Sequence, residues 1–297
     1  MSRSRFKKII LGRLILMFCS YLIVSDTYYE DSQADMSNHL MYSLKQVYRH
    51  THNILHIDFA CFRYHNTALL NFNETKALLS FLQICYKYGT TPIINLSCYK
   101  IEIFYALLMR GFSLGIHFKE SDICFLESNI CKKIRHEINV VWNFLTQNNH
   151  AMIKDSLLQK ENIMCNYKIF YEYYTMLCNM DIFNEKYNKQ IYPLNNISLK
   201  QSFKQGKIPL FYSAHSLNDL YQAFSVGIDY ATISPIYYDK GNKALGIDFI
   251  ESLPPSLKHK TFGLGGVNNK KRIEEIQKSG LKGFASISFF AQFLEKE

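Results

Sequence analysis

The tightest constraint on this chain is a unit that repeats through its C-terminal third. A short apolar run ends in Gly, Ser, Asn or His, and a segment with helical patterning follows. The unit runs from Ser213-Ala214-His215-Ser216, through Gly227 to Tyr237, to Gly263-Leu264-Gly265-Gly266-Val267-Asn268. It closes over Gly280 to Ser288. A continuous apolar run belongs to a strand buried on both faces, so its polar chemistry is displaced to the strand end. The paired glycines before Val267 add a phosphate-cradle signal, because a backbone N–H can approach an anion closely where no Cβ intervenes.

The same rhythm is present upstream. Tyr21-Leu22-Ile23-Val24 forms a first strand ending at Ser25-Asp26, and Leu40, Leu44 and Val47 follow at helical spacing. Ile54 to Arg63 reads as the second strand. A helix near Glu74 to Tyr88 carries Ala77, Leu78, Phe81, Leu82 and Cys85 on one stripe and stops at Gly89. Pro92 opens a third strand, Ile93-Ile94-Asn95. An amphipathic helix over 100–110 ends at Gly111, and Ser113 to Phe118 is the fourth strand. Between Asp122 and Ile208 the rhythm breaks. Ile134 to Leu145, which holds the only tryptophan, Trp142, and Leu157 to Cys178 read as helices rich in Tyr, Phe and Asn. Residues 125–196 are therefore a mainly helical insertion after strand 4, with an aromatic stripe suited to core packing or self-association.

The rhythm resumes with a helix at Leu199 to Lys204 and strands at Pro209–Ser213, Tyr230–Ser234, Thr261–Leu264 and Leu281–Ile287. Eight strands alternating with helices define an α/β chain, a (β/α)₈ TIM barrel. Its first half is 20–124 and its second 197–297, behind a basic leader at 1–19. In such a barrel the active site lies at the C-terminal ends of the strands.

Composition bounds the partners. The chain has 297 residues, 48% hydrophobic and 20% charged, ordinary for a soluble globular protein with a substantial core. Against 34 Lys and Arg stand 25 Asp and Glu, a net charge of +9. This diffuse basic balance suits phosphorylated small molecules. No nucleic-acid-binding signature accompanies it. The eight cysteines include no Cys-x-x-Cys pair, which fits reduced thiols in a cytoplasmic protein. His50, His52 and His56 lack a Cys or carboxylate at ligand spacing and mark a loop-to-strand transition. The start resembles a signal peptide, but Arg13 interrupts the apolar run, which is too short to span a bilayer. The reading is a basic leader running into the first strand.

Taken in order, the strand ends resemble those of the thiamine phosphate synthase/TenI family. Tyr21 to Asp26 is similar to its opening strand, and Cys61-Phe62-Arg63 to its Gln-x-Arg-x-Lys segment. Pro92 to Asn95 is similar to Ile-Ile-Asn-Asp, and Gly115 to Asp122 to Gly-Val-His-Leu-Gly-Gln-x-Asp. Ser213 to Ser216 matches Ser-x-His-Ser, and Ser234 to Tyr237 resembles Gly-Pro-Ile-Phe. Gly265-Gly266-Val267 and Ser286-Ile287-Ser288 stand at the two phosphate-contacting strand ends.

The resemblance implies an enzyme that joins an aminopyrimidine diphosphate to a thiazole phosphate, with Mg²⁺ and release of pyrophosphate. It implies Arg63 as a catalytic cation and Asp122 as a metal ligand. Asn95, Ser213 and Lys243 fall to the substrates, and the backbone at Gly265, Gly266, Ile287 and Ser288 to the thiazole phosphate.

The pyrophosphate half departs from the pattern. Cys61 stands for the family Gln, His65 for its Lys and Leu96 for a metal-binding Asp. Asp239-Lys240-Gly241-Asn242 replaces Thr-x-Thr-Lys, with Lys243 one place late. The departures keep open a TenI-like thiazole tautomerase, in which His215 is the acid/base, and a binding or scaffold barrel that recruits a partner or a second copy through 125–196. Each residue also has a plainer use. His215 can brace the turn that starts a helix, Arg63 can pair at a strand end, Asp122 can cap a helix, and Lys240 and Lys243 can be solvated loop charges.

Overall fold

In the computed structural model, eight parallel strands pair in chain order and the last returns to the first, so the sheet has no edge. The structure describes residues 18–25, 28, 36–52, 54–63, 71–95, 101–110, 112–120, 131–132, 134–139, 167–180, 208–237 and 243–294. The strands are β1 (Cys19–Val24), β2 (Phe59–Arg63), β3 (Thr91–Asn95), β4 (Gly115–Phe118), β5 (Leu210–Ala214), β6 (Tyr230–Ile233), β7 (Thr261–Gly263) and β8 (Gly283–Ser286). Between and after them run α1 (Met36–Thr51), α2 (Phe72–Lys87), α3 (Ile101–Met109), α4 (Tyr167–Asn179), α5 (Leu217–Ser225), α6 (Gly246–Ser252), α7 (Pro255–Lys258), α8 (Lys270–Lys278) and α9 (Ser288–Ala291). This is the (β/α)₈ barrel that the alternation of apolar runs and helices requires. The expected helix at Leu199 to Lys204 lies outside the described residues.

The second strand starts later than its apolar run. Over residues 55–58 side chains take the place of ladder bonds. Asp58 Oδ2 accepts from the Ser20 amide at 2.8 Å, and Ser20 Oγ donates to the His56 carbonyl at 2.5 Å.

Inside the barrel, aromatic rings fill the lower half. The register places Tyr21 beside Phe59, and Phe211 beside Tyr230. Ring centroids lie 4.8 Å apart for Tyr21 and Phe211, 5.2 Å for Phe59 and Phe211, and 5.1 Å for Phe211 and Tyr230. Phe262 completes the plug. The interior is thus a packed core and not a pore. Side chains two residues further along each strand share the inward face, and there the polar positions begin.

One outer helix differs from its sequence reading. Residues 101–109 are buried on every side, where an amphipathic helix would expose one. A helix apolar all round needs cover on its outer face, and α4, from the insertion, supplies it. Tyr173, Leu177 and Met180 are buried in that contact, and Thr75 Oγ1 donates to the Tyr173 hydroxyl at 3.3 Å. The aromatic stripe of the insertion is core packing wherever it is described. Among the described residues, no helix is long and apolar enough to cross a membrane.

The start of the insertion is tied to the opposite end of the barrel from the mouth. Arg135, in a helical stretch over 134–139, places Nη2 2.7 Å from each carboxylate oxygen of Asp229, just ahead of β6. Asp229 Oδ2 also accepts from the Leu210 amide at 2.8 Å, at the start of β5. Asp229→Ala should therefore cost about 1–3 kcal/mol, since it orphans a backbone donor. Arg135→Ala removes a partly exposed ion pair and a long contact to the Gly227 carbonyl, and should cost under about 1 kcal/mol. Urea denaturation of the two variants measures the difference, and equal losses would contradict this division.

Candidate active site

Parallel closure brings the C-terminal strand ends to one rim. Register sets Arg63 on β2 beside Asn95 on β3, and Asn95 beside His117 on β4. Ser213 follows on β5, with His215 and Ser234 in the turns after β5 and β6. Gly265-Gly266 and Ile287-Ser288 follow β7 and β8. The fold thus gathers eight of the sequence-selected residues at one end of the barrel: Arg63, Asn95, Ser213, His215, Gly265, Gly266, Ile287 and Ser288. Lys243 also lies on this side, close to Leu245, whose amide donates to the Pro235 carbonyl at 2.8 Å, but its side chain is exposed. Asp122, His65, Leu96 and Asp239 to Asn242 lie outside the described residues.

At the floor of the mouth a buried polar chain crosses the barrel. The Tyr21 hydroxyl lies 2.8 Å from His117 Nδ1, and His117 Nε2 lies 3.0 Å from Ser213 Oγ. Cys61 adjoins Tyr21, and Asn95 Nδ2 donates to the His117 carbonyl at 2.9 Å. Burial pushes the His117 imidazole down to about 3, and the nearby Arg63 charge acts in the same direction. Burial pushes the Cys61 thiol up to about 12 and raises the Tyr21 phenol well above its usual range. The whole chain is neutral at physiological pH. The sequence places His117 only within the Gly115 to Asp122 match, and Tyr21 only within the first strand. The available signal was parity, because both stand on inward positions of their strands.

His215 sits higher, half-exposed in the turn after β5. Its Nδ1 is 2.8 Å from the Ser234 carbonyl, so Nδ1–H donates there. Nε2 faces Glu120 Oε2 at 3.4 Å. The His215 amide donates to Asp219 Oδ2 at 2.8 Å, while Ser216 caps α5 by accepting from the Asp219 amide at 3.1 Å. His215 therefore braces the start of a helix and also presents a ring nitrogen to a carboxylate at the mouth. Glu120 was not singled out by sequence, since nothing in a lone carboxylate after β4 distinguishes it.

The glycine pair has a more specific cause than an anion. A Cβ on Gly265 would lie 2.8 Å from Pro235 Cα, and one on Gly266 would lie 2.8 Å from Tyr237 Cβ. Both have positive φ, 92° and 72°. The close approach is that of the chain's own Ser234–Tyr237 turn. The Tyr237 amide donates to the Gly265 carbonyl at 3.0 Å. Arg272 Nη1 donates to the Gly266 carbonyl at 2.5 Å, its guanidinium 4.5 Å from the centre of the Tyr237 ring. The Tyr237 hydroxyl donates in turn to Glu275 Oε2 at 2.8 Å. In a trans peptide the N–H points opposite to the C=O. The amides of Gly266 and Val267 are thereby turned away from Tyr237 and Arg272. Packing fixes the loop, and the free face of its amides is a by-product of that packing.

Among the described residues no group of three His, Cys, Asp or Glu side chains converges as a metal cage. Magnesium commonly rests on one or two carboxylates plus substrate phosphates, and such a site needs no cage of that kind.

The neutral His117 has a consequence for stability. Unfolded, its pKa returns to about 6.5. Between about pH 3 and 6.5 the unfolded chain binds a proton that the folded chain does not. Stability from this group is complete above about 6.5 and is lost as pH falls toward 3, with a slope approaching ~1.4 kcal/mol per pH unit. Urea denaturation across this range should show that slope in the wild type and a shallower one in His117→Gln.

No family model matches the chain. Over 79 residues it is 35% identical to the thiamine-phosphate synthase of Prochlorococcus marinus. That stretch is 26% of this chain and 22% of the relative, so the chain matches about a fifth of that protein's length. Among solved structures, it is similar to the thiamine phosphate pyrophosphorylase of Pyrococcus furiosus at 13% identity and a TM-score of 0.47, covering 93% of this chain and 88% of that one. The resemblance carried by the strand ends thus has a counterpart in direct sequence similarity: the chain is similar to the thiamine phosphate synthase/TenI family.

Proposed function

We propose that the barrel is a thiamine phosphate synthase-like transferase, which joins an aminopyrimidine diphosphate to a thiazole phosphate in thiamine biosynthesis. The observation that carries this reading is the arrangement of the rim. Arg63, Asn95 and His117 follow one another on the arc from β2 to β4, and the Gly265-Gly266 and Ile287-Ser288 backbone lies on the arc of β7 and β8. A cation on one side suits a departing diphosphate, and backbone amides on the other suit a phosphate monoester.

In this reading the thiazole nitrogen forms a bond to the pyrimidine methylene carbon while the bond to pyrophosphate breaks. Arg63 neutralises the leaving group, and Ser213 and Asn95 orient the substrates. The Gly266 and Val267 amides, with those at Ile287 and Ser288, receive the thiazole phosphate, and Lys243 adds a cation at the outer rim. Mg²⁺ belongs to the proposal through Asp122 and the diphosphate itself, and it would lower the charge of the leaving group. Free thiols at Cys19, Cys61, Cys85, Cys131 and Cys178 accord with a reducing, cytoplasmic setting.

A second reading, a TenI-like thiazole tautomerase, draws support from His215. With Nδ1–H committed to Ser234 and Nε2 facing Glu120, the ring is oriented for proton transfer at Nε2.

Purified protein given both substrates and Mg²⁺ should form thiamine phosphate, and Arg63→Ala should lower the rate by about 10²–10³-fold. His215→Ala should leave the joining reaction nearly intact. Folded protein that yields no thiamine phosphate overturns the transferase reading. Loss of thiazole isomerisation in His215→Ala alone would establish the second.

A further inference from the structure

The barrel interior contains a polar group with no hydrogen-bond partner among the described residues. Thr232 is 1% exposed, and its Oγ1 is unsatisfied. A buried hydroxyl without a partner carries a desolvation cost of about 1–3 kcal/mol, so its place in the fold calls for a use. Register settles where it points. Thr232 is the partner of Ser213 on β5 and of Phe262 on β7. Two residues earlier, Tyr230 and Phe211 stack inside the barrel. Thr232 and Ser213 therefore stand side by side on the inward face, one layer above the aromatic plug and directly below the mouth.

The hydrogen-bond direction at Ser213 follows from its other neighbours. His117 is neutral, so a single ring nitrogen carries a proton. A phenol O–H is a strong donor, and beside it an imidazole nitrogen is the better acceptor. Tyr21 O–H then donates to Nδ1, the ring proton sits on Nε2, and Nε2–H donates to Ser213 Oγ. The hydrogen of Ser213 is left free for another acceptor. The described floor groups around this point, His117, Tyr21, Cys61 and Thr232, are neutral, and the Arg63 charge acts on them from the rim. An anion driven to this depth would be costly to desolvate, whereas an uncharged ring nitrogen or carbonyl oxygen would not.

We propose that Ser213 and Thr232 form a two-hydroxyl subsite for a neutral hydrogen-bond acceptor on a heterocyclic ligand. Tyr21, acting through His117, is the positioning residue that makes Ser213 a donor there. This rests on the proposed use of the mouth by ring-bearing substrates. It adds the atoms that would read the ring itself, as distinct from its phosphates.

Two measurements test it. Nitrogen-15 NMR of the ligand-free protein, with the His117 signals assigned by His117→Gln, should show a single Nε2–H tautomer. In Tyr21→Phe the signals should move to a mixture of tautomers. A wild-type Nδ1–H tautomer, or a tautomer unchanged in Tyr21→Phe, overturns the positioning role. If Tyr21→Phe does not fold, the wild-type tautomer alone decides. The second measurement titrates the protein with the aminopyrimidine alcohol that lacks the diphosphate, a neutral probe. Thr232→Val keeps the side-chain shape and removes the hydroxyl, and it should weaken binding about three- to tenfold, the weight of one neutral hydrogen bond. Unchanged affinity in Thr232→Val, or no binding of the probe to wild type, overturns the subsite. Failure of the transferase reading would appear separately, as probe binding without thiamine phosphate formation.

Discussion

Closure of the parallel sheet is the constraint on which the rest depends. Because β8 pairs with β1, no strand has a free edge and every strand has one face toward the helices and one toward the axis. The axial face must then be filled, and a ring of Tyr and Phe side chains fills its lower half. Polar groups stand above that ring, where His117 finds partners across the barrel and the Thr232 hydroxyl finds none among the described residues. The sequence of layers, aromatic, then neutral polar, then charged rim, is the vertical order of any chemistry this chain performs.

Two kinds of residue build the rim, and they are held differently. Arg63, Asn95 and His117 are strand residues, fixed by the ladder that sets their Cα atoms side by side. The Gly265-Gly266 loop is fixed from behind, by the Ser234–Tyr237 turn that its missing Cβ atoms admit and by Arg272 on α8. The first arc is therefore as rigid as the sheet, while the second depends on side chains that have no ladder role. The departure from the family pattern at Cys61 falls on β2, in the first arc. The backbone arc keeps its two strand-end signatures.

The fold was legible in the sequence because buried parallel strands announce themselves as apolar runs closed by Gly, Ser or Asn, as at Tyr230 to Ser234 and Leu281 to Ile287. Strand ends were less legible. Ile54 to Asp58 is as apolar as a strand, yet Ser20 diverts its hydrogen bonds. The position of the candidate residues at one rim is legible, since the strand order alone places them there. Tyr21, His117 and Thr232 do not stand out, because an inward polar residue looks from sequence like any interruption of an apolar run. Arg272 and Glu120 lie on a helix and in a loop, where the sequence offers no register to place them. At the glycine pair the sequence does not show what makes the close approach, which is the chain's own Ser234–Tyr237 turn.

The cover that α4 gives α3 couples parts of the chain that are distant in sequence. Residues 101–109 have no water-facing side of their own, and their outer wall comes from residues 167–180. Docking that wall closes a loop of more than fifty residues, at an entropic cost that grows only slowly with length. Once docked, the two helices share one opening equilibrium, since α3 cannot be solvated on its outer face without α4 leaving. Backbone amides in both should then exchange with solvent as a single cooperative unit. In that sense the insertion is a structural wall of the first half-barrel, and its loss would be felt along residues 101–109 before it was felt at the mouth.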